Sequence, residues 1–362
     1  MRTGIIGGSF DPVHIQHLRI AMAAFAEFQL DEVWFVPVFQ AVHKNRGLLD
    51  YHHRRTLLQA ALKPYREFYV SDIEMELGGP SYTVRTLSVL KERFPEREFF
   101  LIIGGDSLLE LPTWREIEHL VTLTDFIVVE RPGFARQSPV EAANLHWADC
   151  QLSDISSSSI REKLAKHDFA NLHLDFEVLL LILSHGYYGS LGADYHDWLK
   201  IIQKRFDAVP AGLQDHMHGV SRLALKYATE ESYDLRQALL AALAHDLFRD
   251  ATDVEIMTLV ASAGFELHER ELKTPMLAHG PASAAYLLSL IPEISPEIVE
   301  AVKDHTFPRS DSCMLTRILA VADTLEPSRG LPAYDALREA DMPFEDRYQK
   351  VLRLKQQVYR DK

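Results

Sequence analysis

The first half of the chain alternates short apolar runs with stretches of helical period. The runs Gly4–Ile6, Glu32–Pro37, Phe68–Ile73, Glu98–Ile103 and Phe126–Glu130 read as buried strands, the first breaking at Gly7-Gly8. Between them, His17–Phe28, Arg54–Leu62 and Thr83–Phe94 place apolar residues on one helical face. A turn is expected at Pro132-Gly133. Strands alternating with helices predict a mostly parallel α/β sheet covered on both faces, with ligands beyond the carboxyl ends of its strands. From Tyr195 onward the pattern holds only amphipathic helices separated by Gly and Pro breaks, so an all-α bundle follows. The expected domains are 1–189 and 197–362, joined by a linker over 190–196.

Composition supports two globular cores: 362 residues, 47% apolar and 25% charged. A formal charge of −14 argues against a nonspecific nucleic-acid binder, although local basic clusters can still take phosphate. Cys150 and Cys313 stand far apart, which excludes a disulfide framework and fits a reducing cytoplasm. The start has no long apolar stretch and no later run reaches membrane-spanning length, so a cytoplasmic chain without membrane partners is expected.

Directly after the first strand comes Gly7-Gly8-Ser9-Phe10-Asp11-Pro12-Val13-His14-Ile15-Gln16-His17. Two glycines let the backbone turn sharply and approach a phosphate. His14 and His17, three apart at a helix start, can both face an anion, and an imidazole pair suits the charge that develops in phosphoryl transfer. Ser156, Ser157 and Ser158 precede a helix with Arg161 one turn inside, a compact anion site for a triphosphate, to which Lys44 adds a point charge. A solvated, capped loop is the plainer alternative for the serines.

The glycine-rich string resembles the phosphate-binding motif of the nucleotidylyltransferase superfamily, with Gln16 where that family usually has glycine. Further segments narrow the resemblance to the bacterial nicotinate-mononucleotide adenylyltransferases: His43-Lys44, Ser81-Tyr82-Thr83-Val84-Arg85-Thr86-Leu87, Gly104-Gly105-Asp106-Ser107-Leu108 with Trp114, and Ile155-Ser156-Ser157-Ser158-Ser159-Ile160-Arg161. Ala41 and Val42 replace two prolines of the family pattern, and Arg85 replaces an acid. The resemblance spans about residues 1–188. It implies a Rossmann-like nucleotidylyltransferase domain that joins ATP and nicotinate mononucleotide to give deamido-NAD. In it Gly7, Gly8, Ser9, Phe10, Gly104, Asp106, Ile155 and the serines would line the nucleotide side, and Thr83 and Trp114 would hold the nicotinate ring, the indole by stacking. Mg²⁺ would ride largely on the ATP phosphates. A relative acting on pantetheine phosphate or glycerol phosphate is the runner-up.

In the second half, His245-Asp246 sits in Ala241-Ala242-Leu243-Ala244-His245-Asp246-Leu247-Phe248, read as a helix apolar nearly all round. A buried carboxylate beside a buried imidazole is costly unless both are paired or bind a metal. His216 lines up with Val220, Leu223 and Tyr227 and so faces the core, whereas His218 falls on a solvated face. His305 continues the Ile298–Val302 stripe, Asp323 follows Leu319 by four, and His279 lies just before Pro281, which can open a helix. Imidazole and carboxylate without thiolate suit iron, manganese or magnesium better than zinc.

These segments, with Ala322-Asp323-Thr324-Leu325-Glu326-Pro327-Ser328-Arg329, resemble the HD phosphohydrolase superfamily, closest to the branch that splits diadenosine tetraphosphate symmetrically into two ADP. The match spans roughly 197–362. It implies two divalent metals, iron first with manganese or magnesium as alternatives, held by His216, His245, Asp246, His279, His305 and Asp323, with Asp246 bridging. Arg249, where the family usually has lysine, and Arg329 become phosphate contacts. The expectation for the whole chain is a bifunctional enzyme acting on ATP, nicotinate mononucleotide and a dinucleoside polyphosphate. An adenylyltransferase whose HD domain only senses a nucleotide, and a purely structural helical second half, stand as alternatives. Self-association is left open.

Overall fold

The computed structural model describes residues 1–40, 47–130 and 136–360. His43-Lys44 and the Pro132-Gly133 turn lie outside the described residues. Contacts divide the chain into two compact units, Met1–Tyr188 and Gly189–Lys362.

The first unit is a six-stranded sheet of β1 (Arg2–Gly8), β2 (Glu32–Pro37), β3 (Phe68–Val70), β4 (Glu98–Gly104), β5 (Asp125–Glu130) and β6 (Leu145–Asp149). All pairings are parallel, in the order β3-β2-β1-β4-β5-β6. This is the doubly wound order, whose ligand crevice opens where the sequence of strands reverses, between β1 and β4. Ile5, Leu101, Phe126 and Val128 are buried, and helix residues such as Leu87 and Leu120 pack in the same core. Such apolar runs are what a strand covered on both faces requires.

Four details differ from the sequence pattern. β1 continues through Gly7 and Gly8, which still pair with Val36 and Pro37, so the break comes at Ser9. The third strand stops at Val70, because Ile73 opens the short helix Ile73–Leu77. β6 was invisible in the pattern: it is an edge strand bonded only to β5, and of its five residues only Ala148 is buried. The first helix, Ile15–Glu27, also begins two residues before the run read from the sequence, with His14 as its N-cap.

The turn after β1 is held from below by Arg54 in the helix Tyr51–Leu62, a guanidinium that is 1% exposed. It donates to three main-chain carbonyls, Leu49 O, Ser9 O and Val38 O, each at 2.7 Å. Asp11, also buried, accepts from Leu49 N–H and the Tyr188 hydroxyl. One side chain thus joins the ends of β1 and β2, the planar-fork task for which lysine is no substitute.

The second unit contains only helices among the described residues. The expected linker over 190–196 is corrected: Ser190 and Leu191 are buried and the helix Ala193–Phe206 begins within it. No helix among the described residues is long and apolar enough to cross a membrane.

Replacing Arg54 by methionine leaves three carbonyls in a dry site, at a cost of about 1–3 kcal/mol for each that finds no water. Urea unfolding of the full chain, followed by fluorescence, is expected to show the first unit's transition at clearly lower denaturant for Arg54→Met. An unchanged midpoint would refute the assigned role.

Candidate active sites

A cleft of about 870 Å³ opens at the carboxyl ends of β1 and β4. Gly7, Gly8 and Ser9 line it at the end of β1, and Gly104 and Asp106 at the end of β4 and in the short helix that follows it. A Cβ added at Gly7 or Gly104 would meet no heavy atom within 4 Å, so both glycines leave bare backbone for a ligand to approach. A Cβ on Gly8 would come within 3.1 Å of the Phe10 ring. Phe10 itself is fully buried at φ 44° and does not line the cleft, which corrects its assignment as a binding residue. Its ring instead supports His17 edge-on at 5.0 Å.

His14 and His17 both line the cleft, their rings 3.8 Å apart at 35°. The His14 N–H donates to His17 Nδ1 at 3.2 Å. With Nδ1 accepting, the proton of that ring sits on Nε2. Burial, helped by His173, pulls the His14 imidazole down to about 4, so it is neutral at physiological pH. Two rings stacked this closely could not both be cations without strong repulsion. The pair acts through hydrogen bonds.

Four helices begin at this cleft, and their first residues or caps line it: Ile15–Glu27, Thr83–Arg93, the short Gly105–Glu110 and Ser157–Ala165. Their dipoles place partial positive charge there. Ser156 caps the last of them, accepting from Ser159 N–H at 3.1 Å, and the Ser157 hydroxyl donates to Pro12 O at 3.0 Å. Arg161 does not line the cleft. It donates to Asp11 O and to the Ser158 hydroxyl, and so braces the glycine-rich turn against the serine segment. Thr83, Trp114 and Ile155 are at the wall, where Trp114 also packs on the core.

The departures from the family pattern have local explanations. Gln16 is 5% exposed and donates to Ser153 O at 3.2 Å, tying the histidine-bearing helix to the segment before Ser156. Arg85 donates to Leu77 O and Gly78 O, closing the end of the helix Ile73–Leu77. Sequence reasoning missed Glu74, a buried acid on the cleft wall that accepts from Phe39 N–H and the Thr86 hydroxyl; burial raises its pKa. Its segment, Asp72-Ile73-Glu74-Met75-Glu76-Leu77, alternates acids with apolar residues and gave no signal for one acid over another.

The second site gathers six predicted residues from five segments. His216 belongs to the helix Ala211–Glu230 and Asp323 to Met314–Leu325. His245 and Asp246 lie just past the helix Leu235–Ala244, not within it as read from the sequence. His279 opens the helix His279–Leu290, two residues ahead of Pro281, and His305 caps Pro296–Asp304.

The orientation of three of the four rings is set by the main chain. His245, His279 and His305 each place Nδ1 at 2.8 Å from the carbonyl three residues earlier, Ala242 O, Met276 O and Val302 O. Only an N–H can bond a carbonyl, so Nε2 of each neutral ring is a lone pair. Burial holds His245 down to about 3 and lowers His305 as well. His279 Nε2 lies 3.0 Å from Asp246 Oδ1 and 3.2 Å from His305 Nε2. His216 Nε2 lies 3.3 Å from Asp323 Oδ1 and 3.7 Å from Asp246 Oδ2. Buried His245 Nε2 and Asp246 Oδ1 have no hydrogen-bond partner.

Lone pairs and carboxylate oxygens crowded together without protons repel one another unless cations lie between them. Two triads, His216/His245/Asp323 and His245/Asp246/His305, offer donor atoms within 4.8 Å of one another. This donor set fits divalent metals, and the carbonyl bonds behind the rings are the outer contacts that metal-binding histidines use.

Gly280 makes the crowding possible, since a Cβ there would come within 2.8 Å of Val302 O and 2.9 Å of Lys303 O. A hollow of about 130 Å³ opens beside the cluster, lined by Arg249, Arg329, Thr306 and Tyr334. Arg329 bonds Asp323, and Arg249 Nη1 is 3.4 Å from Asp246 Oδ2. Two residues here escaped the sequence reading. Lys355, on the final helix Phe344–Arg360, donates to Asp323 Oδ2 at 3.2 Å and His305 O at 2.9 Å. Glu326 accepts from His216 Nδ1 at 3.2 Å.

Comparison with known proteins matches these two units to two families. The cytidylyltransferase-like family matches residues 5–163 and the HD domain family residues 213–328. A protein of Shouchella clausii named a probable nicotinate-nucleotide adenylyltransferase is 45% identical over 166 residues, which cover 46% of this chain and 85% of that one. Its namesake from Opitutus terrae is 40% identical over 181 residues, covering 49% and 91%. A solved HD superfamily hydrolase from Clostridium acetobutylicum, described as involved in NAD metabolism, aligns with 45% of this chain and 84% of its own at 24% identity and TM-score 0.41. At 40–45% identity over most of the length of those curated proteins, the chain belongs through its first unit to the nicotinate-nucleotide adenylyltransferase family, and it carries an HD domain in its second.

Proposed function

We propose that the first unit transfers AMP from ATP to nicotinate mononucleotide, and that the second hydrolyses a nucleotide, diadenosine tetraphosphate to two ADP. The observation that carries the first reading is the convergence of the glycine-rich turn, the histidine pair, Thr83, Trp114 and the serine cap on one cleft.

In the transfer, a phosphate oxygen of the mononucleotide bonds to the α-phosphorus of ATP while the bond from that phosphorus to the β-bridging oxygen breaks, releasing pyrophosphate. His17 Nε2–H, backed by the His14 N–H on its other nitrogen, donates to phosphate oxygens as their charge grows. The helix ends at Ile15 and Ser157 add fixed positive potential, and Arg161 holds the two segments in register. Lys44 supplies a further cation in this reading. Mg²⁺, carried by the triphosphate, would neutralise charge there. Trp114 stacks on the nicotinate ring beside Thr83, and Asp106 meets the nucleotide.

The second reading rests on the cluster of histidine and aspartate donor atoms around Asp246. His216, His245, Asp246, His279, His305 and Asp323 would hold two divalent ions, iron, manganese or magnesium. One Asp246 oxygen faces His279 and His305 while the other faces His216 and His245, a geometry suited to bridging. Such ions supply Lewis acidity toward a phosphoryl group and activate water. Arg249 and Arg329, at the mouth of the hollow, orient phosphate oxygens.

Separate variants divide the two activities. His17→Ala is expected to lower adenylyl transfer at least a hundredfold, the scale of one lost oxyanion donor, and to leave hydrolysis unchanged. His245→Ala is expected to abolish metal uptake at the second site and hydrolysis with it, leaving transfer intact. Assays of both variants with ATP plus nicotinate mononucleotide, and with diadenosine tetraphosphate, decide the matter. A wild-type chain that binds metal yet hydrolyses no nucleotide would favour the sensing alternative.

The depressed His14 value adds a pH dependence. Because the unfolded ring takes its proton near 6.5 and the folded one near 4, the unfolded state binds more protons between them, and stability falls as pH drops through that window. The loss reaches about 3 kcal/mol by pH 4. Denaturation of the first unit at pH 7, 5.5 and 4.5 is expected to show this slope, reduced in His14→Phe. Equal slopes in the two proteins would refute it.

A further inference from the structure

The four histidines of the second site are not oriented alike. Three donate Nδ1–H to neutral main-chain carbonyls of their own segment. His216 instead donates Nδ1–H to a carboxylate, Glu326 Oε2, 110 residues away in sequence. A carboxylate behind an imidazole locks its tautomer and enriches the lone pair on the far nitrogen, which strengthens that nitrogen as a ligand.

Glu326 is placed for this by several independent features. It is 5% exposed, so its charge stays unscreened. It directly follows the helix Met314–Leu325 and so is three residues beyond Asp323, itself within 3.3 Å of His216 Nε2. Its Oε1 accepts from Ser328 N–H at 3.0 Å, and its Oε2 accepts from the Ser328 hydroxyl as well as from His216. Room for the carboxylate comes from the helix that carries His216: a Cβ on Gly219 would come within 2.8 Å of Glu326 Cγ and Cδ. His216 and Gly219 thus act as a pair, one offering the N–H and the other clearing space for its acceptor.

We propose that Glu326 is a positioning residue for the metal centre, acting through His216 to raise affinity for the ion held by His216, His245 and Asp323. The inference rests on reading this cluster as a metal site. Gly219 is its steric counterpart.

The test uses the full-length chain, stripped with a chelator and titrated with Mn²⁺, as wild type, Glu326→Gln, Gly219→Ala, His216→Ala, and His216→Ala with Glu326→Gln. Glu326→Gln is expected to weaken Mn²⁺ binding tenfold to a hundredfold with little change in melting temperature. Gly219→Ala is expected to show a similar loss, because its methyl group displaces the same carboxylate. In the His216→Ala background Glu326→Gln is expected to change nothing further, since the route through the ring is gone. With Co²⁺ as the probe, the visible spectrum of Glu326→Gln is expected to shift from wild type. Wild-type affinity in Glu326→Gln, or the same fold loss with and without His216, would overturn the proposal. A wild-type chain taking up no Mn²⁺ would instead overturn the metal reading beneath it.

Discussion

Both sites depend on which ring nitrogen of their histidines is claimed from behind, by the main chain for four of them and by a carboxylate for His216. In the first, a backbone N–H points at His17 Nδ1, so the far nitrogen carries the proton and becomes a donor suited to anions. In the second, backbone carbonyls claim Nδ1–H of His245, His279 and His305, so the far nitrogens become lone pairs suited to cations. The same side chain serves opposite chemistry because a neutral imidazole has one proton, and fixing one nitrogen decides the other. Burial keeps His14 and His245 neutral, as their lowered values show, whereas Asp323, Asp246 and Glu326 outweigh burial and raise that of His216.

Small residues supply the second constraint. Gly7 and Gly104 leave backbone open at the strand ends, Gly280 lets two helices bring His279 and His305 together, and Gly219 admits Glu326 beside His216. Each is a place where a methyl group would cost either a ligand's approach or a buried polar contact. Because an unmatched polar group in a dry interior costs about 1–3 kcal/mol, these clearances support the chemistry as directly as the polar side chains do.

The strands that form the sheet interior, β1, β2, β4 and β5, were legible because residues covered on both faces must be continuously apolar. β6 was not legible, since an edge strand with one buried residue carries no such run. Phe10 was misassigned for a related reason: a motif records which residues recur together, and the aromatic one turned out to support the histidine rather than face the cleft. His14, His17 and the six histidine and aspartate positions of the second unit were found by spacing and motif. Glu74 and Lys355 were not, because each reaches its site from a segment whose pattern is that of an ordinary amphipathic or solvated stretch, and Glu326 stood in a quoted motif with nothing local to show that it meets His216.

Local spacing along the chain was therefore enough for the two-unit organisation, the parallel sheet with its glycine turn, and the residue types that gather at the two candidate sites. Those features follow from period and from chemistry between near neighbours. The convergence of the five segments around Asp246, the bracing of Asp11 by Arg161, and the carboxylate behind His216 were decided only by the tertiary structure. Each is a contact between groups far apart in sequence, and packing alone determines which partner arrives.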